Sequence, residues 1–190
     1  MTAARDKKGV FEGLKQFLEF LSLLGVIGGG AFAAWQYVQT QELTRVNRTM
    51  DYIKSYDEGP VGDARRSLKV FLFPILDQMD HGGVKSETRE QWLGDMPDHI
   101  NDAQDPAAVE ANIDAVVAFY ESLQTCVDNN LCSAKVADKY FYAYDANEFW
   151  HNFGPYIIQK CASSPYYGSS LRRHQTNPLE KAPKECLIAQ

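Results

Sequence analysis

The chain has 190 residues, a formal net charge of −6, 45% hydrophobic and 12% aromatic residues, which excludes a largely disordered protein and leaves enough chain to bury a core. The acidic balance argues against nucleic acid as a partner, because phosphates are repelled unless a local basic patch overrides the net charge. A mean hydropathy of −0.36 looks soluble throughout, but that average hides one concentrated apolar stretch.

Residues 1–19 form a short leading segment, with Arg5, Lys7, Lys8 and Lys15 set against Asp6, Glu12 and Glu19. No charge follows until Glu42, so Phe20 to Gln41 supplies 22 uncharged positions. As a helix that run rises about 33 Å, against a hydrocarbon core of about 30 Å. The pattern predicts a transmembrane helix over 20–41, with Trp35 and Tyr37 at the level of the headgroups, where aromatic rings prefer to sit. Ala31-Phe32-Ala33 has the small-x-small form of a signal-peptide cleavage site. Nineteen residues with three acidic ones are long for a signal-peptide leader and favour a retained anchor instead.

Within the span, Gly25, Gly29 and Ala33 recur every four residues and share one helix face, and Gly30 and Ala34 form a second small row beside it. Small residues let two helix backbones approach closely, so this face predicts packing against a copy of the chain or another membrane subunit. The plainer account is that glycine is common in membrane helices. Four basic residues before the span and Arg45, Arg48 and Lys54 after it favour an N-terminus in the cytoplasm, by a small margin.

Residues 42–161 read as a helical extramembrane domain and 162–190 as an irregular tail rich in serine, proline and lysine. Leu43, Val46, Met50 and Ile53 recur at helical steps, and Glu58-Gly59-Pro60 ends that segment. A second helix is expected from near Asp63 to His81, kinked or broken at Pro74. A weaker one spans Ser86 to Leu93, anchored by Trp92. Asp105-Pro106 is a strong start signal for an amphipathic helix ending near Cys126. Ser133 caps the next, whose apolar positions run from Val136 to Trp150, with an interruption at Gly154-Pro155 and a resumption to Cys161. No run alternates with period two. The expected fold is mainly α: one transmembrane helix, then a small helical bundle.

All four cysteines, Cys126, Cys132, Cys161 and Cys186, follow the span. Four cysteines allow three pairings; the most local joins Cys126 to Cys132 across a short turn and leaves Cys161 to pin Cys186 in the tail. An even count on one side of a membrane fits an oxidising compartment, with reduced thiols in a cytoplasmic domain as the alternative. A zinc site fits less well, because Cys-x5-Cys is not a usual ligand spacing.

No specific catalytic constellation is present: no phosphate loop, no dinucleotide glycine fingerprint, no His-Glu-x-x-His and no nucleophile elbow. His81, His99, His151 and His174 lack ligand spacing, so neither catalytic nor metal-binding residues nor a cofactor is expected. Arg65, Arg66 and Lys69 make a small basic face, explained most simply by salt bridges to the acidic domain, with lipid headgroups as the other use. The aromatic cluster Tyr140, Phe141, Tyr142, Tyr144, Phe149, Trp150, Phe153 and Tyr156 reads as packed core, or as a docking surface where a ring face stays exposed.

Three elements, Ala64-Arg65-Arg66-x-Leu68, Phe119-Tyr120-Glu121-x-Leu123 and Phe149-Trp150 through Pro155-Tyr156-Ile157, give a pattern that resembles an uncharacterised bacterial family. Its members are single-span proteins with a small helical domain of unknown function. The resemblance implies an anchored helical domain and supplies no catalytic residues. Together these readings predict a non-catalytic accessory or scaffold subunit of a bacterial inner-membrane complex, with the bilayer and other membrane subunits or its own copy as partners. Its N-terminus would be cytoplasmic and its domain periplasmic, a cytoplasmic domain being the alternative placement. The competing functional reading is a membrane-anchored sensor or ligand-binding domain; an unrecognised hydrolase ranks last.

Overall fold

The computed structural model describes residues 6–81 and 93–174, with side chains from residue 20 on apart from Leu23 and 78–81. Every regular element among the described residues is helical, and no strand occurs there. The chain divides after Leu43 into two compact units.

The first unit holds most of helix α1, Asp6–Glu58. From Phe20 to Thr44 each described side chain is exposed, and the helix is long and apolar enough to cross a membrane. In water such a surface would be costly at roughly 25 cal/mol per Å²; lipid removes that cost.

The second unit begins at Thr44 with the last turns of α1, which supply Thr49, Tyr52 and Tyr56 to its core. Glycine and proline make the corner that follows. Gly59 closes α1 with a bond from its N–H to Ser55 O at 3.2 Å, and Pro60 opens α2, Pro60–His81, at a position that needs no backbone donor. Gly62 lets the two helices meet: a Cβ there would stand 2.5 Å from Asp57 O.

Helix α2 runs through Pro74 without the break that was one of the two outcomes expected there. Proline removes one N–H and crowds the carbonyl four residues earlier. That residue, Val70, is 74% exposed, so water satisfies the freed carbonyl while Leu68 and Leu72 hold the buried side. The helix expected from Ser86 lies outside the described residues except for Leu93, which is buried. The short α3, Met96–Asn101, buries Met96 and Ile100 completely.

Helix α4, Pro106–Asp128, is the centre of the domain; α2, α3 and α7 pack on it. The carboxylate of Asp105 accepts from Ala108 N at 3.1 Å, the N-cap that Asp-Pro foretells. Ile113, Val116, Val117, Tyr120 and Leu123 fill its buried side at three- and four-residue steps. A disulfide joins Cys126 to Cys132 across the turn that ends it, with 5.2 Å between the Cα atoms.

The aromatic region differs from one long helix. A single turn, α5 (Ala134–Ala137), widens into a π-turn at Asp138–Tyr142, and α6 starts afresh at Asp145–Cys161. The wide turn puts the neighbours Phe141 and Tyr142 both in the core. Helix α6 then passes through Pro155, so the interruption expected at Gly154-Pro155 is absent. The carbonyl this proline crowds belongs to exposed His151, as at Pro74.

Within 162–174, the described part of the expected irregular tail, the chain is partly regular. Gly168, at φ 69°, turns the chain into α7, Ser169–Arg173. The Glu121 carboxylate receives Ser169 Oγ–H and Ser170 N–H, both at 3.1 Å, and Leu171 is fully buried.

At the heart of the domain Tyr56, Phe119 and Phe141 pack with ring centroids 4.9 to 5.3 Å apart. Each such pair adds about 1 kcal/mol beyond area burial. Tyr56 and Tyr120 share a buried hydroxyl–hydroxyl hydrogen bond of 2.8 Å.

Candidate binding cleft

On α2, Arg65, Leu68, Lys69 and Leu72 recur at i, i+3, i+4 and i+7. On α6, Asp145, Glu148, Phe149 and Asn152 repeat the same spacing, followed by Phe153. These two stripes line a half-open cleft of about 410 Å³ that reaches Tyr56. Leu68, Leu72, Phe149 and Phe153 form its apolar floor, each less than a tenth exposed.

A network of charges closes one end. The Arg65 guanidinium lies 3.6 Å from the centroid of the Tyr56 ring, in cation–π contact. It pairs with Asp145 at 3.4 Å and Asp57 at 3.6 Å, and donates to Tyr56 O at 3.4 Å. Tyr140, carried by the π-turn, donates to Asp57 Oδ2 at 2.8 Å. Burial raises the Asp145 carboxyl above its usual value, and Arg65 opposes that shift. Burial likewise pushes the Tyr56 phenol up to about 12 and holds Tyr120 far above its usual value. That end of the cleft sets one guanidinium against two carboxylates, while its rim carries Lys69, Glu148 and Asn152. Such a site offers apolar surface and charge for binding.

Two of the three residues of the basic face form salt bridges, Arg65 as above and Arg66 with Asp63; Lys69 forms none among the described residues. The aromatic cluster separates. Phe141, Tyr142, Phe149, Trp150, Phe153 and Tyr156 are core, whereas Tyr140 and Tyr144 are exposed. The histidines are not brought together, and no cluster able to hold a metal ion occurs among the described residues. His151 is exposed; His174 stacks on Tyr142 at 3.6 Å and bonds Gln124 Oε1 at 2.8 Å.

The expected local bridge, Cys126 to Cys132, is present. Cys161 is disulfide-bonded too, and Cys186, its expected partner, lies outside the described residues. On α1, Gly25, Gly29 and Ala33, with Gly30 and Ala34 beside them, are exposed, and apart from the adjoining backbone of the helix itself no atom lies within 4 Å of where a Cβ would stand on any of these three glycines. Trp35 and Tyr37 are exposed at the far end of the apolar run; Tyr37 OH accepts from Gln41 Nε2 at 2.9 Å.

The sequence reading missed the cleft itself. Asp57 and Asp145 reach Arg65 only through the corner at Gly59 and the fold of α6. The one available signal was the repeated i, i+3, i+4, i+7 spacing on α2 and α6. A family model, Domain of unknown function (DUF4760), matches residues 23–178. No curated protein and no solved structure matches the chain.

Proposed function

Because the chain belongs to the DUF4760 family, whose function is unknown, we propose a role from its own residues: a non-catalytic, single-span accessory or scaffold subunit of a bacterial inner-membrane complex. The observation that carries this reading is the open glycine face of α1. Gly25 and Gly29 sit one turn apart on the exposed apolar stretch of α1, with nothing beyond the helix's own adjoining backbone within 4 Å of either Cβ position. In lipid, such a face gains van der Waals contact and close backbone approach from a second helix. The partner is another membrane subunit or a copy of the chain, and the domain docks outside the bilayer.

A periplasmic domain accords with its cysteine chemistry. The Cys126–Cys132 bridge and the bonded state of Cys161 suit an oxidising compartment. Of the 19 basic and 25 acidic residues, four and three precede the span, which leaves 15 and 22 after it and a net charge of −7. The leading segment carries +1, in the sense that keeps it cytoplasmic.

The test is a double substitution, Gly25→Leu with Gly29→Leu, followed by purification in mild detergent. Leucines at both positions should release the partner while the protein stays in the membrane fraction. Unchanged co-purification would refute helix packing as the mechanism. A second reading, a membrane-anchored ligand-binding or sensor domain, is favoured by the cleft between α2 and α6.

A further inference from the structure

The rim of the cleft carries polar groups that the fold does not use. Arg65 is spent on Tyr56, Asp57 and Asp145. Lys69, exposed on the α2 side, makes no ion pair or hydrogen bond among the described residues; neither do the side chains of Glu148 and Asn152 on the α6 side. Asp145 offers only Oδ1 to Arg65, at 3.4 Å, and keeps its second oxygen. A cation thus stands on one wall and two carboxylates and an amide on the other, above a floor of Leu68, Leu72, Phe149 and Phe153.

A purely anionic ligand would meet Lys69 but face Glu148 and Asp145. A purely cationic one would meet the carboxylates and face Lys69. A zwitterion satisfies both walls at once, and an apolar body attached to it covers the floor. Resting on the ligand-binding reading, we propose that the cleft binds a small zwitterion with an apolar side chain, namely a free aromatic or branched amino acid or a short peptide ending in one. The ammonium pairs with Glu148 and the free oxygen of Asp145, and the carboxylate pairs with Lys69. The Asn152 amide donates to the carboxylate or accepts from the ammonium.

The experiment uses the full chain in detergent micelles and measures binding by calorimetry and amide chemical shifts. The probes are phenylalanine and leucine, with phenethylamine lacking the carboxylate, phenylpropionate lacking the ammonium, and indole as a neutral probe. Phenylalanine should bind about tenfold more tightly than either one-charge analogue, the effect of one charge-assisted hydrogen bond. Lys69→Gln should erase its advantage over phenethylamine, and Glu148→Gln its advantage over phenylpropionate. Both positions are exposed, so unchanged melting of the variants checks the fold.

Equal affinity for all the phenyl probes, or indifference to both substitutions, overturns the zwitterion. If indole binds, is blocked by Leu72→Trp and equals phenylalanine, the cleft remains a binding site and the ligand class is wrong. If no probe binds at millimolar concentration, the ligand-binding reading falls with it.

Discussion

Thr49 is fully buried, and its hydroxyl joins two parts of the domain that lie 84 residues apart. Oγ1 donates to Arg45 O at 2.9 Å within α1 and accepts from Ser133 N, also at 2.9 Å, at the start of α5. Thr49→Val keeps the shape and removes the hydroxyl, both as acceptor for Ser133 N and as donor to Arg45 O. The Arg45 carbonyl retains its helical bond, so losing Oγ1–H there costs little. The buried Ser133 amide loses this acceptor, a loss of about 1–3 kcal/mol. Replacing the hydroxyl by a methyl returns a fraction of that through apolar burial, and the helix propensities of threonine and valine are similar. The expected net loss is about 1–2 kcal/mol. Thr49→Ser keeps the acceptor and gives up one buried methyl, about 1 kcal/mol. The two losses are told apart by amide exchange at Ser133, which accelerates in Thr49→Val and stays protected in Thr49→Ser. Denaturant unfolding of the full chain in micelles supplies the stabilities. If Thr49→Val unfolds with the wild type and Ser133 exchange is unchanged, the reasoning is refuted, and the turn is held by its disulfide and its own backbone bonds.

Other expectations follow from the same geometry. Replacing Cys126 and Cys132 by serine opens a loop of sequence separation 6 and should cost about 2 kcal/mol by the loop-entropy relation, read from the denaturation midpoint. Alkylation of the untreated protein without reductant should find no reactive thiol, and four reactive thiols would put the domain in a reducing compartment. Gly168→Ala should destabilise by about 1–3 kcal/mol, because φ is 69° and the added methyl would stand 2.4 Å from Ile157 Cγ2; an unchanged melting temperature would contradict this. The buried phenols set an alkaline limit. In the unfolded chain tyrosine ionises near its usual value of about 10, whereas folded Tyr56 holds its proton to about 12 because burial disfavours the phenolate, and Tyr120 holds its proton longer still. The unfolded state therefore binds fewer protons above that usual value, and stability should fall as pH rises through this window. Tyrosinate absorbance followed alongside unfolding checks it, and Tyr56→Phe with Tyr120→Phe should flatten the fall.

What the sequence made legible was local. The charge-free run from Phe20 to Gln41, the corner at Glu58-Gly59-Pro60, the Asp105-Pro106 cap and the short Cys126–Cys132 loop each act within a few residues, so composition and spacing suffice to read them. The helices continue through Pro74 and Pro155 for one reason. A proline breaks a helix only when the crowded carbonyl has nowhere to go, and at both positions the affected residue faces solvent while neighbouring side chains are held in the core. Helix α7 was hidden because its stability comes from Glu121 and from the buried site of Leu171. The cleft was hidden in the same way: its chemistry rests on Arg65 meeting residues eight and eighty positions away, and no local pattern encodes that meeting.

The hydroxyl pair in the core has an evolutionary consequence. Tyr56 and Tyr120 satisfy one another, one phenol donating and the other accepting. Changing either to phenylalanine strands the survivor's oxygen in an apolar setting, at about 1–3 kcal/mol, whereas changing both strands nothing. The two positions should therefore drift together through the family as a coupled column pair, both tyrosine or both without a hydroxyl. A sequence caught between the two states would mark an unstable intermediate in that history.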